Sequence, residues 1–302
     1  MKVDLSVVIV AYKSKDTIIE CIESVYKTVK KHSFEIIISD NSPDDETENI
    51  VMVNKDKYPD LVFIKNHENL GFSRANNIGV KKTVGEYLLF LNPDMKVYRE
   101  TLDGMIDFME KHKDAGASTC FVELPNGKLD DSSHRGFPTP WRALSFFVGL
   151  PKIFPKSRIL AGYNMTYLDL GKTHEIDSLA GSFMLVPREI GEKLGWWDED
   201  FFFYGEDLDF CYRIKKLGYK VYFVPEFRAL HYKGVSSGIK SVSKEMTKAS
   251  RETRIWATEW RFKAMRIFYD KHYKDKYPGF FRELVLKGID LKKFLAMRKV
   301  GD

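Results

Sequence analysis

The first hundred residues alternate between two periodicities. "LSVVIVAY" (5–12), "FEIIISD" (34–40), "LVFIKN" (61–66) and "YLLFLNPD" (87–94) are near-continuous apolar runs, as expected of strands buried on both faces. Between them, amphipathic stretches predict helices over 16–31, 44–57 and 72–82, with Ser14, Asp16, Ser42 and Asp44 available as caps. Strict alternation of strand and helix predicts an α/β fold, a doubly wound parallel sheet with right-handed crossovers. A helix is expected near 99–112, followed by a loop-rich stretch over 125–177 with little pattern. Strand signals resume at "SLAGSFMLVP", then a short helix over 188–194, a helix from Glu206 to about Leu217, the strand "KVYFVP" and a helical tail.

Ligands of such sheets bind beyond the carboxyl ends of the strands. Those ends are polar here: Tyr12 after the first run, Asp40 and Asn41 after the second, "NHENLGFSRANN" after the third, Asn92 and Asp94 after the fourth. Ser42 and Asp44 read as ordinary helix caps. Asp94 differs, because the apolar approach "LLFLNP" points a carboxylate at the sheet edge behind a rigid proline. Neither G-x-G-x-x-G nor G-x-x-x-x-G-K-[ST] occurs, so the usual glycine-rich phosphate cradles are missing and a bound phosphate calls for a metal.

Composition narrows the class. With 302 residues, 44% hydrophobic and 30% charged, the chain has the makings of a large folded core. Its three cysteines are widely spaced without C-x-x-C pairing, which fits a reducing cytosol better than a disulfide framework or zinc cluster. The N-terminus reads as a first strand rather than a signal peptide, and no apolar run reaches the roughly 18 residues of a membrane span. From Gly238 to Asp302, 17 lysines and arginines face 8 acidic residues, whereas the remainder carries 31 against 35. The basic tail "RIWATEWRFKAMRIFYDKHYKDKY" has two readings: a helix packed on the rest through Trp256, Trp260, Phe262 and Phe268, or a peripheral contact with an anionic membrane. A nucleic-acid partner is not expected.

One segment gathers the chemistry. "GWWDEDFFFYGEDLDFCYRIKKLGYKVYFVPEFRALHYKG" (195–234) places aromatics, a carboxylate run and a lone histidine around one helix and one strand. Together with "SVVIVAYKS", "ISDNSPDD", "NLGFSRANNIG", "LLFLNPD" and "LAGSFMLVPRE", it resembles the inverting family-2 glycosyltransferases of GT-A fold, most closely their rhamnosyltransferase-like branch. The likeness covers about 5–234 and leaves 125–177 and the tail outside it.

The resemblance implies a Rossmann-like GT-A fold with a central, mostly parallel but mixed sheet. It implies a domain over 1–237, with a nucleotide-binding half to about 98 and an acceptor half beyond; charge and pattern, not the likeness, predict the basic helical extension over 238–302. Asp94 then corresponds to a metal ligand for Mn²⁺ or Mg²⁺, with Asn92 replacing the family's first aspartate and contacting the donor. His231 corresponds to a second metal ligand, and its nitrogen favours Mn²⁺. Asp207 corresponds to the general base of inverting transfer. Ala11, Tyr12 and Asp40 would meet the nucleobase, and Arg74 and Asn77 the diphosphate or ribose. Gly181, Trp197 and Glu206 are candidate acceptor or sugar contacts, although the aromatics of this segment also suit a core. Asp209 lies four residues before Arg213, the spacing of a same-face ion pair. The implied activity moves a sugar, such as L-rhamnose from dTDP-L-rhamnose or another dTDP- or UDP-sugar, to a glycan or polyprenyl-linked acceptor at the cytoplasmic membrane face. A nucleotidyltransferase and a non-catalytic nucleotide-sugar-binding protein are the alternatives.

Overall fold

The computed structural model describes residues 3–42, 46–232 and 250–301. Strands β1 (Leu5–Ala11), β2 (Phe34–Asp40), β3 (Leu61–Lys65) and β4 (Tyr87–Leu91) alternate with helices α1 (Ile18–Thr28), α2 (Thr47–Asn54) and α3 (Phe72–Val80). Next come β5 (Met95–Val97), α4 (Thr101–Lys111) and β6 (Ala115–Glu123). The stretch without a sequence pattern holds two short helices, α5 (Pro140–Phe147) and α6 (Leu150–Ile153), and the strand β7 (His174–Ile176). Then follow β8 (Phe183–Pro187), α7 (Arg188–Leu194), α8 (Glu206–Lys216) and β9 (Lys220–His231), and finally α9 (Arg251–His272) and α10 (Gly279–Gly301).

All nine strands form one sheet in the order β3-β2-β1-β4-β8-β6-β9-β5, with β7 paired to β9. The expected parallel pairing holds from β3 to β4. Beyond β4 the sheet is mixed: β8 is antiparallel to β4 and β6, β9 is parallel to β6, and β5 and β7 are antiparallel to β9. Parallel neighbours require a crossover that carries the chain back to the starting end of the sheet. The connection from β6 passes through β7 and leaves β8 running opposite to β6 and β4.

Alternate residues of the apolar runs serve two cores. Val7, Ile9, Ile36, Ile38 and Leu89 pack with α1 and α4 on one face, whereas Val8, Leu88 and Phe90 pack with Phe210 and Ile214 of α8 on the other. This two-sided burial is why the runs lack polar positions.

The serines expected to cap helices do something else. Neither α1 nor α2 has a side-chain cap bond. Instead Ser14 Oγ accepts from Tyr12 N at 3.1 Å and Ser42 Oγ accepts from Lys13 N at 2.7 Å, so both tie down the loops after β1 and β2. Asp44 lies outside the described residues.

The tail helix α9 docks on α8. Phe268, Tyr269 and Ala264 join Phe201 and Tyr212 in a third apolar cluster. Beneath it the buried Asp209 accepts from Arg213 Nε, His272 Nε2 and Lys271 Nζ, each at 2.7 Å. The predicted Asp209–Arg213 pair is therefore one part of a clamp between two helices.

Candidate active site

The sheet reverses its strand order between β1 and β4, and the strand ends there open into a cavity of about 1480 Å³. Tyr12, Asn41, Asn92, Asp94, Gly181, Glu206, Asp207 and His231 all line it. The carboxylates of Asp94 and Asp207, far apart in sequence, thus open into one space.

Pairing of β5 with β9 sets the first cluster. Met95 lies opposite His231, and Tyr232 N donates to Asp94 O at 3.0 Å, so ladder register alone brings the two side chains together. His231 Nε2 stands 3.3 Å from Asp94 Oδ1, and its Nδ1 is 3.0 Å from Asp130 Oδ2. Burial works against charge on this imidazole, but Asp94 and Asp130 outweigh it and raise its pKa to about 9. Asp130 is fully buried, and its Oδ1 is held by Ser132 N at 2.9 Å and Ser132 Oγ at 2.5 Å.

The second cluster sits at the start of α8. Tyr204 and Gly205 both adopt left-handed backbone, with φ of 71° and 83°. At Gly205 an added Cβ would also meet Phe201 and Ala264 at 3.2 Å, so glycine suits the turn on both counts. This turn aims Glu206 and Asp207 at the cavity. Asp207 Oδ2 accepts from Arg135 Nη2 at 2.7 Å, and Arg135 also donates to Leu179 O at 3.1 Å. Burial, reinforced by the adjacent Asp207, pushes Glu206 up to about 8. Its Oε2 is buried and has no hydrogen-bond partner among the described residues. Near neutral pH the protonated form of Glu206 is therefore favoured.

Other expected site residues stand elsewhere. Ala11 and Asp40 end β1 and β2 but are buried behind the lining, with Asp40 Oδ1 accepting from Ser42 N at 3.0 Å. Asn41 faces the cavity instead. Arg74 is exposed on α3 and outside the lining, which that helix reaches only through Phe72. Asn77 faces away, donating to Trp197 O at 2.9 Å and accepting from Trp197 N at 3.1 Å. Trp197 is a core residue, edge-on to Phe72 and Phe90 with ring centroids 5.4 and 4.8 Å away. Gly181 lines the cavity where a Cβ would come within 3.1 Å of Phe72.

Two residues with no sequence-based expectation complete the site: Asp130 and Arg135, both in "DDSSHR" of the unpatterned stretch. Clustered charges in a loop were the available signal.

The family model of glycosyl transferase family 2 matches residues 6–171, and that of glycosyl transferase family group 2 matches 165–273. This chain belongs to glycosyl transferase family 2. Its relatives place it in the rhamnosyltransferase-like branch. The rhamnosyltransferase WbbL of Escherichia coli K12 is 31% identical over 231 residues, covering 69% of this chain and 83% of WbbL. The N-acetylglucosaminyl-diphospho-decaprenol L-rhamnosyltransferase of Mycobacterium tuberculosis is 26% identical, covering 67% of this chain and 68% of its own. Among solved structures, the mannosyltransferase PcManGT of Pyrobaculum calidifontis, in complex with GDP-Man and Mn²⁺, matches with a TM-score of 0.59 at 16% identity. That match covers all of this chain and 74% of PcManGT. GalNAc-T7, with UDP, GalNAc and Mn²⁺, matches at 0.58 and 17% identity over 85% of this chain, which spans 48% of GalNAc-T7. These neighbours share the GT-A fold.

For this family-2 glycosyltransferase the second family model extends through α9. Its Trp260 stacks on Phe202 with centroids 4.8 Å apart, and its Trp256 stacks on Phe203 at 5.5 Å. Phe202, Phe203 and Trp256 all line the cavity beside Asp207.

Proposed function

We propose that this glycosyltransferase is an inverting enzyme that transfers L-rhamnose from dTDP-L-rhamnose to a lipid-linked glycan acceptor. The observation that carries the reading is the shared cavity of the Asp94–His231 pair and Asp207. The sugar is inferred from the two rhamnosyltransferase relatives, the lipid-linked acceptor from the mycobacterial one, and the dTDP carrier from the resemblance of the motifs.

In this reading the acceptor hydroxyl attacks the anomeric carbon, the new oxygen–carbon bond forms as the bond to the β-phosphate oxygen breaks, and the hydroxyl proton passes to Asp207. Arg135 holds one oxygen of that base in position, and the aromatic wall of Phe202, Phe203 and Trp256 offers a platform for sugar rings. The nucleotide would lie over Tyr12 and Asn41, with Asn92 towards its phosphates.

The residues present fit a divalent cation. Among the described residues no group of three or more His, Cys, Asp or Glu side chains forms a metal cage, so the protein alone supplies few ligands. Asp94 and His231 would hold Mn²⁺ or Mg²⁺, the donor diphosphate and water completing the shell, and Asp130 would orient the imidazole. The cation would offset the negative charge gained by the leaving diphosphate. Residues 1–237 would form the catalytic domain, with the extension from 238 adding the aromatic wall and a membrane contact at the cytoplasmic face.

The test is turnover of a panel of dTDP-, UDP- and GDP-sugars with and without Mn²⁺. Hydrolysis or transfer strongest with dTDP-L-rhamnose and dependent on the metal is expected. Asp207→Asn should abolish transfer while leaving calorimetric dTDP affinity within about twofold. Transfer at the wild-type rate in that variant would remove Asp207 as the base.

A further inference from the structure

Apolar side chains left in water gather on one part of the surface. The segment 141–159, spanning α5 and α6, exposes Trp141, Val148, Ile153 and Phe154, with Ile153 67% accessible. Helix α10 exposes Phe280, Leu284, Leu291, Phe294 and Leu295, with Phe280 at 77% and Leu284 at 65%. Four of these five recur at spacings of four, seven and four, a single stripe along the helix. The opposite side of α10 is already used: Val285 and Leu286 pack on the cluster formed with Tyr269 and Tyr273 of α9. The two exposed surfaces adjoin, since Lys292 Nζ lies 4.1 Å from the ring centroid of Phe147.

We infer that α5–α6 and α10 together form a docking face for an anionic lipid bilayer, which seats the mouth of the catalytic cavity on the membrane. Charge selects this occupant over a second copy of the chain. Segment 141–159 carries four basic residues and no acidic one, and α10 carries six basic against two acidic. Two such faces would repel each other, whereas anionic headgroups complement basic side chains flanking inserted apolar ones. Continuity with the cavity supports the orientation. Leu144, Val148, Leu284 and Leu291 are exposed at the surface and also line the cavity that reaches Asp94 and Asp207. An acceptor whose lipid remained in the bilayer would present its sugar from that side. Only this last step rests on the proposed function; the docking does not. The aromatic residues of α9 contribute little, because Phe262 and Phe268 are buried and Trp256 and Trp260 pack on Phe202 and Phe203.

The test uses the full chain and two double variants, Ile153→Glu with Phe154→Glu, and Phe294→Glu with Leu295→Glu. All four positions are exposed and none lines the cavity. Sedimentation with phosphatidylcholine vesicles, with or without about one-third phosphatidylglycerol, is expected to retain the wild type chiefly on the anionic vesicles, and each variant about tenfold less. Thermal midpoint and Mn²⁺-dependent hydrolysis of dTDP-L-rhamnose should match the wild type in both variants. Wild-type retention of either variant would overturn the face. So would a wild-type dimer in sedimentation equilibrium that the variants dissociate while vesicles bind nothing. Vesicle binding that depends on these residues in a protein unable to turn over any nucleotide sugar would uphold the docking and sink the proposed function instead.

Discussion

His231 has a carboxylate at each ring nitrogen, and the two have different consequences. Both line the cavity, but Asp130, fully buried and held by Ser132, grips the ring from its Nδ1 side and leaves Nε2 to Asp94. Orienting partners of this kind typically change metal affinity by about 10- to 100-fold when removed. Asp130→Asn should therefore weaken Mn²⁺-dependent dTDP binding by about tenfold or more, with little effect on dTDP binding in EDTA, as read by calorimetry. Equal losses in both conditions would mean a general disturbance of the pocket. Glu206 offers a second residue-scale prediction. Its folded pKa is raised from the ordinary 4.5 to about 8, so the folded state binds its proton more tightly than the unfolded chain. Stability from this group is complete below the ordinary value and is lost as pH rises towards 8. Glu206→Gln should match the wild type in thermal midpoint near pH 4.5 and become progressively more stable than it up to about pH 8. Superimposable differences across that range would show that Glu206 ionises normally. Asp94 and Asp207 were legible in sequence because each sits in a motif attached to a predictable element. Asp130 and Arg135 were not, since their roles come from contacts with residues 101 and 72 positions away.

At the scale of elements, α8 is the piece whose placement matters most to the proposed chemistry, and α9 holds it. Burial alone would raise the pKa of Asp209, but His272, Arg213 and Lys271 outweigh it and hold the carboxyl down at about 2. The ordinary value is 3.8, so this stabilisation is complete above it and is lost as pH falls towards 2. Asp209→Ala strips the partner from three cationic or polar groups, and a loss of about 3 kcal/mol in urea unfolding at neutral pH is expected. The same variant should show a weaker fall in stability between pH 4 and pH 2 than the wild type. A change below about 0.5 kcal/mol would show that the clamp contributes no more than a surface pair. The strands of the first half were readable because two-sided burial leaves an unbroken apolar run. Helices α5 and α6 were not, since they are short and expose much of their apolar surface, so no polar face marks a helical period. The reversed entry of β8 was equally hidden: its residues suit either direction, and direction depends on the path of the preceding connection.

One cavity is lined both by Leu144, Val148, Leu284 and Leu291 of the basic, apolar surface and by Tyr12 and Asn41 at the strand switch. No helix among the described residues is long and apolar enough to cross a membrane. In the proposed docking, basic side chains of the α5–α6 and α10 face meet anionic headgroups, so binding to anionic vesicles should fall about tenfold as ionic strength rises from about 0.05 M to 0.5 M. Salt-independent retention would mean that apolar insertion alone holds the protein. By itself, the sequence determined the alternating α/β architecture, the family and the residues at strand ends, because periodicity and local motifs are properties of neighbouring positions. Tertiary structure alone decided that Asp94, His231 and Asp207 share one cavity, that Asn77 and Trp197 serve packing, and that Asp130 and Arg135 complete the site. Those outcomes depend on strand register, on helix faces and on loops brought together across the sheet, and such long-range distances are set only when the chain closes on itself.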